Sequence, residues 1–150
     1  MTRLLIDGDG CPVKDECYRV ADRLGLQVIV VANHWLRVPQ APRYSLIVVE
    51  SGLDVADDRL VEEAKAGDVV VTADIPLASR VVGRGALAVT PKGRLLDAGT
   101  VGAVKSDRDL MTALREAGEI RGGGRPFTKA DRSAFLQGLD RALGFARRLS

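Results

Sequence analysis

Aromatic residues are scarce in this sequence, with one Trp, two Tyr and three Phe in 150 positions. The core must therefore be aliphatic, and a surface tiled with base-stacking aromatics is argued against. Cysteine is nearly absent as well. If Cys11 and Cys17 both lie on the first helix, their Cα atoms stand about 9 Å apart at ~1.5 Å per residue, too far for a disulfide. They read as two small side chains packed on or near that helix. With His34 as its one histidine, the chain is short of ligands for a Cys/His zinc site. A Ser–His hydrolase is disfavoured too, for want of a strand–Gly-x-Ser-x-Gly turn. Neither a GxGxxG after the first strand nor a GxxxxGK[ST] occurs, so dinucleotide and P-loop readings fail. No apolar run approaches the ~20 residues of a membrane span. The opening MTRLLIDGDG lacks the apolar middle and cleavage site of a signal peptide, so a cytoplasmic protein without membrane association is expected.

What is present is a charge division. Residues 1–78 hold 13 acidic and 8 basic side chains, net −5, and residues 79–150 hold 7 acidic and 14 basic, net +7. An acidic half that can hold a cation, beside a basic half that can hold a polyanion, fits a metal-dependent enzyme acting on phosphates. It equally fits arginine-rich helices that solvate their outer faces.

Strands and helices alternate along the first two thirds. Residues 3–7 read as a strand, and residues 12–24 as a helix with Val13, Cys17, Val20, Ala21 and Leu24 on one face, opened by Pro12 and stopped by Gly25. LQVIVVA at 26–32 is apolar nearly throughout, as in a parallel strand covered on both faces. Residues 33–44 form a loop. Strand, turn and helix follow at 45–50, 51–54 and 55–66, then a strand at 68–73, a short helix at 75–84 and a strand at 86–90. The pattern predicts one α/β domain over residues 1–150, with a parallel sheet of about five strands in the order 3-2-1-4-5 and helices on both faces. Residues 91–106 read as a short hairpin or loop, 107–117 as a helix, 119–128 as a glycine-rich loop and 129–149 as a final helix. Thr128 and Asp131 have the spacing of a capping box.

Carboxylates recur where these strands end. Asp7 and Asp9 follow the first strand, Glu50 ends the third, Asp54, Asp57 and Asp58 open the next helix, and Asp74 follows the fourth strand after Thr72. In the expected strand order, Asp7, Asp9 and Asp74 face one another across the point where the order reverses, which is where open α/β sheets bind ligands. Crowded carboxylates repel and raise one another's pKa unless a cation neutralises them. Hard oxygen donors in this number suit Mg²⁺ or Mn²⁺. The alternative for a single Asp such as Asp74 is that it caps the next helix. Gly122, Gly123 and Gly124, between Arg121 and Arg125, read either as a phosphate cradle or as a loop without function.

The strings IDGDGCPVK, VANHWLRVP, GLDVADDRLVEEAKAGDVVVTADIPLA, TPKGRLL, RDLM and GGGRPFTKADRSAF occur in this order over nearly the whole chain. In these blocks the sequence resembles the YaiI/YqxD family of bacterial proteins. The resemblance implies a three-layer α/β/α fold of the PIN-like and NYN-like nuclease type, with C-terminal helices appended. It also implies a Mg²⁺- or Mn²⁺-dependent phosphodiesterase site, by analogy of fold. Carried over by motif, the first acid matches Asp7, the strand-four acid Asp74 with Thr72 as the hydroxyl beside it, and the middle acid Asp57 or Asp58. Asp9 matches the family's second acid. The family's usual DADACP reads DGDGCP here, which is expected to loosen the turn while keeping both acids and Pro12. Arg125 before Pro126 departs from a GGP pattern.

Three functions follow as expectations. The first is a metal-dependent nuclease acting on RNA, with Asp7, Asp9 and Asp74 as catalytic residues. The metal would sit among these and Asp57 and Asp58, and Thr72, Arg37, Arg43, Arg121 and Arg125 would contact substrate. The second is a nucleic-acid or protein-binding module without activity. The third is a haloacid-dehalogenase-like phosphatase with Asp7 as nucleophile and Asp9 as acid/base.

Overall fold

The computed structural model describes residues 2–9, 11–52, 54–103 and 127–149. A single six-stranded sheet forms its middle layer. In chain order the elements are β1 (Arg3–Asp7), α1 (Lys14–Leu24), β2 (Gln27–Ala32), β3 (Tyr44–Val48), α2 (Val55–Glu63), β4 (Val69–Val71), α3 (Ile75–Gly83), β5 (Leu87–Val89), β6 (Leu95–Leu96), α4 (Ala98–Ala103) and α5 (Lys129–Leu149). The strands lie in the order β3-β2-β1-β4-β5-β6. All neighbours are parallel except β5 and β6. The expected order 3-2-1-4-5 is thus the order observed, with a sixth, antiparallel strand added where residues 91–106 were read as a hairpin or loop. Two leucines make that strand, too short for periodicity to separate from a turn.

Alternation along the strands distributes side chains to the two faces. Leu4, Ile6, Val28, Val30, Val69 and Val71 point to one side, where they pack with Cys17, Val20 and Ala21 of α1 and Phe135, Leu139 and Leu143 of α5. Leu5, Ile29, Val31 and Val70 point to the other and meet Leu60 and Ala64 with Ile75, Leu77, Ala78 and Val81 of α3. Helices on both faces make three layers, and the core is aliphatic save for Phe135 and Tyr44. Truncating a buried leucine such as Leu4 or Leu5 to alanine costs about 2–5 kcal/mol.

Local chemistry sets the element ends. α1 starts at Lys14, two residues later than Pro12, and stops at Gly25, whose φ of 68° is the left-handed cap conformation. α2 ends at Glu63 instead of running to residue 66, and β3 ends at Val48, which leaves Glu50 exposed beyond the strand. The capping box forms. The Thr128 hydroxyl accepts from the Asp131 amide at 3.1 Å and the Asp131 carboxylate accepts from the Thr128 amide at 2.9 Å. The helix expected at 107–117 and the glycine run at 122–124 lie outside the described residues. No helix among the described residues is long and apolar enough to cross a membrane.

Candidate active site

The order reverses between β1 and β4, which pair with Ile6 opposite Val71. The next residues, Asp7 and Thr72, therefore emerge side by side at the carboxyl edge. The Thr72 hydroxyl donates to Asp7 Oδ2 at 2.8 Å and accepts from the Asp74 amide at 3.0 Å. Asp74 Oδ1 in turn accepts from the Leu77 amide at 3.0 Å and caps α3. One buried hydroxyl thus fixes an acid from each side of the switch point. Asp74 performs the capping role that a single Asp after a strand often has, and its other oxygen, Oδ2, accepts no hydrogen bond from the described residues.

The first turn of α2 hangs over the same spot. Burial raises the Asp7 carboxyl to about 6, Thr72 opposes the rise by its hydrogen bond, and the charges of Asp57, Asp9 and Asp74 add to it. Asp57 is raised as well, first by burial, then by Asp74 and Asp54, with Arg80 opposing. The Asp57 and Asp74 charges act on Asp7, and the Asp74 charge acts on Asp57, so the three acids share one electrostatic neighbourhood. The motif by itself allows either Asp57 or Asp58 as its middle acid. Asp58 instead turns outward to an ion pair with Arg80 at 2.8 Å.

Asp9 is held differently. Its Oδ2 accepts from the Asn33 amide at 2.9 Å, and His34 Nδ1 lies 3.1 Å from its Oδ1, without the alignment of a hydrogen bond. The loop after β2 thus claims Asp9, though its charge still reaches Asp7. The turn between the two acids is tight where glycine was expected to loosen it. A Cβ on Gly8 would stand 2.9 Å from both Leu36 Cδ1 and Val30 Cγ1. Lys14 closes the turn from the other side, donating to the Gly8 and Cys11 carbonyls at 3.2 Å each. Cys11 and Cys17 are buried free thiols.

The expected substrate-binding residues separate. Thr72 is 2% exposed and both hydrogen-bonding roles of its hydroxyl are filled within the chain, so its geometry positions acids. Arg37 is exposed on the loop after β2. Arg43 is not brought to the acids. Its carbonyl accepts from Val28 at the amino end of the sheet, and its guanidinium binds Asp22 at 3.1 Å and lies over the Tyr44 ring. Arg121 and Arg125 lie outside the described residues. The residue that sequence reasoning missed is Arg80, six positions after Asp74 on α3, where helical spacing directs it toward the start of α2. Nothing in the sequence distinguishes it from any other surface arginine.

A family model described as "Uncharacterized BCR, YaiI/YqxD family" matches residues 5–144. The chain belongs to the YaiI/YqxD family. The match takes in β2 to β6, the end of β1 and both acids that Thr72 connects. Curated relatives agree over nearly full length. A UPF0178 protein of Gluconacetobacter diazotrophicus is 52% identical over 95% of this chain and 93% of its own. UPF0178 proteins of Paramagnetospirillum magneticum and of a Caulobacter species are 50% and 51% identical over 99% of both chains. No solved structure matches the chain.

Proposed function

We propose that this member of the YaiI/YqxD family is a metal-dependent phosphodiesterase acting on nucleic acid, RNA in the first instance. The observation that carries this reading is the Thr72 hydroxyl joining Asp7 to Asp74 at the switch point, with the Asp57 charge acting on Asp7 and the Asp74 charge acting on Asp57. Among the described residues no three carboxylate, histidine or thiol groups already stand close enough to form a closed metal set. Magnesium does not require one, since it keeps several waters and binds through one or two carboxylates and the substrate's phosphates. The donors are hard oxygens, Asp7 Oδ1 and Asp74 Oδ2 accept no hydrogen bond from the described residues, and clustered charge awaits neutralisation. These residues fit Mg²⁺ or Mn²⁺.

In this reading Asp7 and Asp74 hold the ion and Asp57 completes the set. A bound divalent ion supplies an activated water and stabilisation of charge on the phosphoryl group. Thr72 holds Asp7 Oδ2 and the Asp74 backbone amide with one hydroxyl, which fixes the two acids relative to each other. Arg80 limits the negative field at Asp57. The phosphatase reading needs Asp9 as an acid/base beside Asp7, and one oxygen of Asp9 is already engaged by the backbone amide of Asn33. Its test is trapping of an aspartyl-phosphate analogue on Asp7, which a nuclease would not form.

The deciding experiment incubates purified protein with labelled RNA in Mn²⁺, in Mg²⁺ and in EDTA. Cleavage that needs the metal and falls on the order of 100-fold or more in Asp7→Asn and Asp74→Asn is expected, the scale of losing a charge-stabilising group. Unchanged cleavage in both variants sinks the proposal. RNA binding without cleavage under either metal favours the non-enzymatic module.

A further inference from the structure

A second concavity lies away from the acids along the edge strand β6, between the turn at residues 91–94 and Asp97 and Thr100 past the strand's other end. β5 runs parallel to β4 and β1, so the turn at residues 91–94 leaves the sheet on the edge that carries Asp7 and Asp74. Two strand spacings, roughly 10 Å, separate β5 from β1. The turn, β6, α4 and one face of α5 line an open concavity of about 450 Å³, whose lining includes Lys92, Arg94, Thr100, Gln137 and Arg141.

The placement of these cations is rigid. The Gly93 amide donates to the Thr90 carbonyl at 2.8 Å and the Arg94 amide donates to the Thr90 hydroxyl at 3.1 Å. Gly93 has a φ of 93°, and a Cβ there would lie 2.1 Å from the Ala134 carbonyl oxygen. A Cβ on Gly138 would meet the Gly93 carbonyl oxygen at the same distance. The turn is therefore pressed onto α5 backbone to backbone. Gln137 and Arg141 are four residues apart on one face of that helix, which brings Arg141 beside the turn. Lys92, Arg94 and Arg141 form no ion pair or side-chain hydrogen bond among the described residues. The acid in the wall, Asp97, accepts from the Thr100 amide on Oδ1 at 2.7 Å. Three cations face one carboxylate that is already engaged, and the excess positive charge has no partner within the described residues.

We propose that this concavity binds a phosphate group of the nucleic-acid strand, holding the backbone beside the edge strand β6, past β4 and β5 from Asp7. The identity of the strand rests on the phosphodiesterase reading, whereas the capture of a phosphate does not. Lys92 supplies a point charge, and Arg94 and Arg141 offer the planar forks that pair with phosphate oxygens. Gln137 and Thr100 add neutral hydrogen bonds.

The test is binding of a fluorescently labelled single-stranded RNA in EDTA across a salt series, for the parent chain and for R94S/R141S. Each backbone contact on a single strand contributes ~0.7 to the slope of log K against log salt. The double variant is therefore expected to flatten the slope by about 1.4 and to weaken low-salt binding roughly tenfold, with R94K/R141K restoring most of it. Both arginines are exposed, and an unchanged circular dichroism spectrum and melting temperature verify the fold. An unchanged slope in folded R94S/R141S overturns the proposal. Titration with inorganic phosphate separates the sources. If phosphate binding depends on the two arginines and RNA binding does not, the site serves a free anion and the proposal for the strand falls. Arginine-dependent RNA binding without cleavage in any divalent metal leaves this site standing and sinks the nuclease. Cleavage by the parent with no arginine dependence does the reverse.

Discussion

The Thr72 hydroxyl donates to Asp7 Oδ2 at 2.8 Å, tying together two strand ends that are 65 residues apart in the chain. Its second bond, from the Asp74 amide, is local, two residues along. The group therefore joins the sheet's central pair to the cap of α3. Removing it with Thr72→Val leaves the buried Asp7 oxygen unpaired and costs about 1–3 kcal/mol. It also raises Asp7 further, since that bond opposes the rise. Activity should fall about 10–100-fold, as for outer-sphere partners of metal ligands, and Thr72→Ser should restore most of it. Melting curves and initial rates for the two variants check this, and a Val variant as active as the parent removes Thr72 from the site.

Asp7 sets a pH dependence of stability. Its folded value of about 6 lies above the ordinary 3.8, so the folded state binds this proton more tightly than the unfolded one. The resulting stabilisation is full below about pH 4, declines as pH rises through 6, and is gone above it. The change is on the order of 3 kcal/mol at ~1.36 kcal/mol per pH unit. In EDTA, Asp7→Asn should flatten this part of the stability–pH profile and melt higher than the parent at pH 7. Added Mn²⁺ should raise the parent's melting temperature more at pH 7 than at pH 5. A parent profile flat between pH 4 and 6 contradicts the burial of Asp7.

The amino end of the sheet carries a structural ion pair. Asp68, 1% exposed, accepts from Arg3 Nη2 at 2.6 Å, Arg3 Nε at 3.1 Å and the Lys65 amide at 2.9 Å. Arg3→Met strands that carboxylate and should cost about 3–5 kcal/mol, a melting-temperature drop of roughly 10 °C for a chain of this size. Arg3→Met with Asp68→Asn should recover part of the loss. Urea denaturation of the single and double variants measures both.

Trp35 is the chain's one tryptophan, 70% exposed on the loop leaving the carboxyl end of β2, while Leu36 beside it packs inward. Its emission therefore reports on one spot next to the β1 edge. Single-stranded RNA should quench it, and Trp35→Ala should weaken binding by about 1–3 kcal/mol, the scale of one stacked base. Emission unmoved by saturating RNA places the strand elsewhere.

Much of this fold was legible from periodicity. Continuous apolar runs such as VIVV at 28–31 can only be strands covered on both faces, and alternating them with helices forces parallel, right-handed connections. From that topology Asp7 and Asp74 had to reach one edge, because both follow strands that flank the reversal. Residues alone could not say which of Asp57 and Asp58 faces the acids. One helical step of about 100° decides it, and the ion pair of Asp58 with Arg80 turned that choice outward. Nor could they show that Asp9, two residues from Asp7, would be taken by the Asn33 amide, or that Arg43 would end at the opposite edge. The turn at 91–94 shows the same division. Its glycine and its cations are plain in TPKGRLL, but only the packing of Gly93 against α5 brings Lys92 and Arg94 beside Arg141. The sequence by itself determined the strand order and the edge on which the acids collect, because both follow from local hydrophobic pattern and chain handedness. Tertiary structure alone decided which charged side chains share a cluster, because that depends on contacts between residues tens of positions apart.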